Sequence, residues 1–141
     1  MSQPSIPAPE LSDLSRPFWE ALKRDATLTF QRCSACHHAW LPARAQCPNC
    51  LGDDWRREPA QGGATLVSWV VYRHAYHPAF EARLPYTVAV VQLDEGPRMI
   101  SNIVQADPAA LRIEQRLQLT IEDESGTAVA RFAPLQGDSP R

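Results

Sequence analysis

Apolar positions follow two rhythms along this chain. Residues 1–14 show neither: Pro4, Pro7 and Pro9 punctuate a polar stretch, which predicts a flexible arm. Phe18, Trp19 and Leu22 then fall at i, i+1 and i+4. Ser12, Asp13 and Ser15 offer caps, Pro17 suits a first turn, and Arg24 suits the negative end of the dipole. The prediction is a short helix over about 16–24 with one large apolar face. That face has two open destinations: the small lobe that follows, or a partner or apolar ligand.

From Thr27 the period changes to two. Thr27–Arg32 reads as a strand, Trp40 and Leu41 supply a small core on the returning side, and Asp53–Glu58 reads as a last strand or linker. Pro59–Gly63 interrupts the pattern and marks a boundary. Beyond it, Ala64–Arg73, Tyr86–Asp94, Arg98–Val104, Arg116–Glu124 and Thr127–Phe132 read as five strands. Glu95-Gly96-Pro97 and Ser125-Gly126 turn between them, and Asp107 can cap one helical turn opened by Pro108. Five strands with that turn between the third and fourth suit a Greek-key barrel of the OB type. The expected fold is mainly β: helix and small lobe over 15–60, a five-stranded OB-fold barrel over 61–134, and a tail over 135–141.

The small lobe contains all four cysteines, as Cys33-x2-Cys36 and Cys47-x2-Cys50 separated by ten residues. Each pair can form a knuckle that aims two thiolates at one point, and two facing knuckles give the tetrahedral sulfur set that zinc prefers. The spacer is long enough for one strand out and a turn back, the layout of a rubredoxin-like zinc ribbon. Disulfides are disfavoured in a chain with no recognisable export signal. Cys33-Ser34-Ala35-Cys36-His37 matches the c-type haem attachment pattern, but haem would leave Cys47 and Cys50 without a role. A thioredoxin-like pair needs a helix where Pro42 sits. Iron would use the same ligands, so spacing does not separate it from zinc. Four thiolates leave no position for water or substrate, which makes the metal structural. Gly52 is placed to supply the left-handed backbone of a knuckle exit.

Charge narrows the classes. The formal net charge is −2, and thirteen arginines stand against the single Lys23 without forming a basic run. Zinc ribbons and OB-folds both bind nucleic acid, so a single-stranded nucleic-acid binder is one alternative; this charge argues against it. No run of 18 apolar residues exists, so no membrane span is expected and the predicted location is cytoplasmic.

The segment 74–85 between the first two barrel strands carries His74, Tyr76, His77, Phe80 and Arg83. A long connection of this composition more often binds than merely links. His74-x2-His77 lacks further ligands for a second metal, and no nucleophile is paired with either histidine for a stand-alone enzyme. Tyr76 and Phe80 are expected to cover one barrel opening. Arg73, Arg83 and Arg98 are candidates to meet phosphates, and otherwise are solvated surface.

Several stretches recur together: Pro17-Phe18-Trp19, the C-x2-C-x10-C-x2-C ribbon, Gly63-Ala64-Thr65-Leu66, Pro85–Gly96 and Arg131-Phe132-Ala133-Pro134. Over about residues 17–134 the chain resembles the zinc-ribbon and OB-fold family once catalogued as domain of unknown function 35. His37 departs from the glycine that often follows the first knuckle. The resemblance implies a non-catalytic accessory subunit, binding a thiolase-like or related aldolase or hydratase partner in a hetro-oligomer that handles acyl-CoA. It carries residue roles only for Cys33, Cys36, Cys47 and Cys50. Trp19, Trp40, Tyr76 and Phe80 are candidates to pack on adenine or acyl carbons, and Phe18 joins them as a candidate for the partner surface. Turnover of acyl-CoA by this chain alone is the third reading.

Overall fold

The computed structural model describes residues 8–135, so residues 1–7 of the expected arm and 136–141 of the expected tail lie outside it. The first helix is prepared one turn ahead of its start. Ser12 N–H donates to Ser15 Oγ at 3.0 Å and Ser15 N–H donates to Ser12 Oγ at 3.1 Å, a reciprocal cap shared by two of the three predicted residues. Helix α1 then runs Arg16–Asp25, with Lys23 and Arg24 in its last turn. Ala26, at φ 51°, ends it and lets Thr27 N–H reach the Ala21 carbonyl at 3.1 Å.

Three short strands, β1 (Thr29–Cys33), β2 (Ala39–Trp40) and β3 (Trp55–Pro59), form an antiparallel sheet in the order β2-β1-β3. Strict alternation fails in β1 because Gln31 is buried beside Phe30. Its amide is fully used: Nε2–H donates to the Arg44 carbonyl at 2.8 Å, and Oε1 accepts Arg44 N–H at 2.9 Å. A buried polar side chain thus anchors the spacer between the knuckles.

The second half closes as predicted into a five-stranded barrel. Strands β4 (Gly63–Tyr72), β5 (Tyr86–Leu93), β6 (Arg98–Ile103), β7 (Arg116–Glu124) and β8 (Thr127–Pro134) follow the order β4-β5-β6-β8-β7, with β4 returning to β7. Asp107 caps a single 3₁₀ turn at Pro108–Ala110 by accepting Ala109 N–H at 3.0 Å. In β4 the register shifts between Leu66 and Ser68, leaving Val67 as the extra residue of a bulge. Gly63 lies against the Asp94 carboxylate, which forms a two-pronged bond to Arg116 at 2.8 Å per contact; a Cβ at Gly63 would collide with it. No described helix is long and apolar enough to cross a membrane.

Helix α1 rests mainly on the barrel, a neighbour that local periodicity did not offer. Leu22, 1% exposed, joins the barrel core with Leu66, Val91 and Phe132, and Phe18 and Trp19 pack against the same core. Leu28, immediately before β1, is buried there too. Leu41, expected in the ribbon, likewise packs on the barrel core, whereas Trp40 stays in the ribbon with Trp55. The barrel core extends to the helix and the base of the ribbon, which local periodicity could not show. Arg32 adds a polar tie: Nε donates to Glu58 at 2.9 Å, Nη1 to the His37 carbonyl at 2.9 Å, and Nη2 to the Glu95 carbonyl at 3.4 Å.

Phe132, fully buried at the parallel β6–β8 contact, is the point where these layers meet. Phe132→Ala is expected to cost about 3–5 kcal/mol, read from the midpoint of urea denaturation.

Candidate functional site

The cysteine tetrad is built by two turns of the same kind. Cys33 leaves β1, and Ala35 and Cys36 direct their N–H groups at its Sγ from 3.4 and 3.5 Å. Asn49 N–H approaches Cys47 Sγ at 3.4 Å, and the Asn49 side-chain amide approaches Cys36 Sγ at 3.5 Å. His37 and Leu51 both sit at φ 66° immediately after their knuckles. The left-handed exit expected at Gly52 therefore falls on Leu51, one residue earlier, and His37 adopts it despite its β-carbon.

All four Sγ atoms lie within 4.8 Å of one another. Cys33 and Cys50 are 3.6 Å apart, as are Cys36 and Cys47. A tetrahedron with Zn–S bonds of about 2.3 Å has edges of about 3.8 Å, so the donor set fits the ion. Its electrostatics ask for a cation. The Asn49 amide and the His38 N–H bring Cys36 down to about 6, and the N–H groups of Cys36 and Ala35 lower Cys33. Gly52 N–H favours a thiolate at Cys50, but Cys33 and Cys36 beside it, with burial, push its thiol up to about 12. A dication removes that conflict. Zinc held here closes the ribbon around Trp40 and Trp55, whose rings meet edge to face at 6.5 Å. Trp55 Nε1–H donates to the Ala45 carbonyl at 2.9 Å. Trp40, only 4% exposed, is thereby a ribbon-core residue and offers no stacking face to a ligand.

The segment 74–85 is more ordered than a loop. Pro78–Arg83 forms a 3₁₀ helix capped by His77, whose Nδ1 accepts Ala79 N–H at 3.0 Å. That bond occupies one nitrogen, and the four cysteines form the sole cluster of three or more metal-ligating side chains found among the described residues. Rings connect in sequence from His74 to Tyr76, Tyr72, Tyr86, Phe80 and His77, with centroids 4.9–6.2 Å apart. Tyr76 stands 82% exposed and covers no opening; Phe80 instead lines a cavity of about 450 Å³ with Arg83, Tyr86, Asn102 and Arg131.

Beside this cavity lies an ion network that the sequence did not suggest. Glu124 is buried and accepts from Arg83 and, at 2.6 Å, from Arg131, which also approaches Glu122 at 3.8 Å. Burial alone would raise the Glu124 carboxyl, but Arg83 and Arg131 reverse this and hold it below the usual carboxylate range. The charged end of β7, Glu122-Asp123-Glu124, and Arg131 within the otherwise apolar β8 were the available signal. Arg98 does not join Arg73 and Arg83. Tyr72 pairs with Tyr86 at one end of β5 and Arg98 with Gln92 at the other, so Arg98 lies at the ribbon end, near His38 and Arg44. Arg73 is exposed just after β4. Phe18 and Trp19 line a separate apolar groove with Leu41, Met99 and Ile100.

Residues 19–56 match the rubredoxin-like zinc ribbon domain of ChsH2, and residues 57–122 match its C-terminal OB-fold domain. The solved Ltp2-ChsH2(DUF35) aldolase aligns with a TM-score of 0.78 at 32% identity, over 90% of this chain and 98% of that one. The chain belongs to the DUF35 family. Its tetrad is accordingly a structural zinc site. Among DUF35 relatives, a scaffold protein of Methanothermobacter thermautotrophicus is 28% identical over 101 residues, 72% of this chain and 76% of that protein. A probable enoyl-CoA hydratase alpha subunit of Thermomonospora curvata is 38% identical over 96 residues, 68% of this chain; the match spans only 30% of that subunit's length. A DUF35 protein of unknown function from Sulfolobus solfataricus shares the fold at 14% identity, with a TM-score of 0.62 over 85% of this chain and 84% of that one.

Three outcomes test the site. Cys47→Ser is expected to abolish stoichiometric zinc, measured by elemental analysis, and to unfold the ribbon, because structural zinc supplies about 10–16 kcal/mol at neutral pH. Protons compete for the same sulfurs, so zinc should be held at neutral pH and released on acidification, at a lower pH than that at which the metal-free thiols gain their protons. For Glu124 the folded carboxyl is depressed, so its stabilisation is present at neutral pH and lost as pH falls through the carboxylate range. Glu124→Gln should flatten the acid limb of the melting-temperature profile.

Proposed function

We propose that this chain is a non-catalytic accessory subunit of an acyl-CoA enzyme, completing a thiolase-like, aldolase or hydratase partner. The observation that carries this reading is the alignment with the Ltp2-ChsH2(DUF35) aldolase, which spans 98% of that chain at 32% identity. Relatives described as a hydratase alpha subunit and as scaffold proteins support it. The chemistry agrees: Cys33, Cys36, Cys47 and Cys50 would fill all four positions of a bound zinc and leave none open for substrate. The metal's work is to hold the ribbon in shape.

In this reading, acyl-CoA reaches the cavity formed by Phe80, Arg83, Tyr86 and Arg131. The rings supply flat apolar contact for adenine or an acyl chain, and Arg83 at the rim meets phosphate oxygens through forked hydrogen bonds. Catalytic groups come from the partner.

Co-expression with an acyl-CoA enzyme subunit of the thiolase, aldolase or hydratase class should yield a stable hetero-oligomer that binds CoA. In that complex, Phe80→Ala and Arg83→Ala should each weaken CoA about tenfold by calorimetry, close to 1.4 kcal/mol. A chain that neither joins such an enzyme nor binds CoA, alone or in its presence, would remove the proposal.

A further inference from the structure

Antiparallel strands with one face in a core and one in water alternate apolar with polar side chains; near-continuous apolar strands are those covered on both faces. Strand β5, Tyr-Thr-Val-Ala-Val-Val-Gln-Leu, is of the second kind. Its inward side is filled: Ala89, Val91 and Leu93 are buried in the barrel core. Its outward side carries Tyr86, Val88 and Val90. Register extends this surface across neighbouring strands: Tyr72 lies opposite Tyr86, Val70 opposite Val88, and Ile100 opposite Val90. Residues so paired on one face have side chains about 5 Å apart. Ile100 is 71% exposed, Val70 54% and Tyr76, in contact with Tyr72, 82%. At the Ile100 end the wall runs into the groove of about 280 Å³ between Phe18, Trp19, Leu41 and Met99. Ser68, Gln92 and Asn102 share this face as neutral polar members; an apolar patch of this extent, ending in an apolar groove, exceeds what scattered surface hydrophobes explain.

We propose that the outer wall of β4, β5 and β6, with the α1 groove at its end, is the docking surface for the acyl-CoA enzyme subunit, whose matching face is apolar with an acidic rim. The inference rests on the accessory-subunit reading. Charge selects this occupant over a second copy of the chain. The three strands contain no carboxylate; their single charged side chain is Arg98, on the outward side opposite Gln92, and Arg73 follows β4 at the other end. The acidic groups at the β5–β6 turn are engaged within the chain, Asp94 by Arg116 and Glu95 by Gln61 N–H. Two copies meeting on this wall would bring arginines together with nothing to balance them, whereas an acidic rim on an enzyme subunit would orient and retain it.

The test is equilibrium binding of the full zinc-loaded chain to a purified acyl-CoA enzyme subunit of the thiolase, aldolase or hydratase class. Zinc content and circular dichroism confirm the fold of each variant. Val70→Lys and Ile100→Lys place a charge on exposed positions and should weaken binding at least about thirtyfold; Arg98→Glu should weaken it about tenfold. Ile113→Lys, exposed but off the wall, should stay within about twofold of the unmodified chain. Hydroxyl-radical footprinting should show Tyr72, Tyr86 and Ile100 protected in the complex. If the unmodified chain binds and the wall variants bind equally well, the docking surface is wrong while the accessory role stands. If the unmodified chain does not bind at all, both fall. A homodimer disrupted by Val70→Lys would overturn the choice of occupant.

Discussion

Four thiolates brought to one point repel one another, and in this chain the ribbon between α1 and the barrel depends on a cation that reconciles them. The lobe around the tetrad has a core of little more than Trp40 and Trp55 beside the cysteines themselves. So few apolar contacts cannot offset the conformational entropy of ordering the lobe. The metal does so, and the hydrogen bonds from Ala35, Cys36 and Asn49 orient the sulfurs toward it. Ligand geometry then spreads outward through β1: Cys33 ends the strand, Gln31 anchors the spacer, and Arg32 reaches the barrel.

Ribbon and barrel are therefore one mechanical object. Leu22 and Leu28 belong to the barrel core although they precede the ribbon in sequence, and Leu41 leaves the ribbon to join them. Apolar burial at this joint is non-directional, while Arg32 with Glu58 and the Glu95 carbonyl sets its angle. Such a joint holds the α1 groove in line with the outer wall of β4 to β6. A subunit proposed to act without chemistry of its own depends on the placement of its surfaces, and rigidity is what preserves that placement.

How much of this was legible follows from the range over which each signal acts. Cysteine spacing encodes a metal site locally, and the five strands were visible because alternation reports each strand's inner face. The cap was visible as a choice among three residues, though not as the Ser12–Ser15 pair. What stayed hidden needs knowledge of strand order. Periodicity could not say that α1 rests on the barrel, that Gln31 is buried, or that Glu124 unites Arg83 with Arg131. Arg98 looked close to Arg83 because the chain turns soon after β5; antiparallel pairing instead carries it to the far end. Tyr76 looked like a cover because aromatic residues usually bury, and here it does not.

The bulge at Val67 sets the parity of β4. Before it, Ala64 and Leu66 point into the barrel; after it, Trp69 points in and Ser68, Val70 and Tyr72 point out. Side chains alternate strictly along a strand, so if Val67 paired as an ordinary residue instead of bulging, the two sides of the rest of β4 would be exchanged. Trp69 would be turned into water and Val70 into the barrel. A single extra peptide unit thus decides which residues serve this molecule's own interior and which are left for a neighbour.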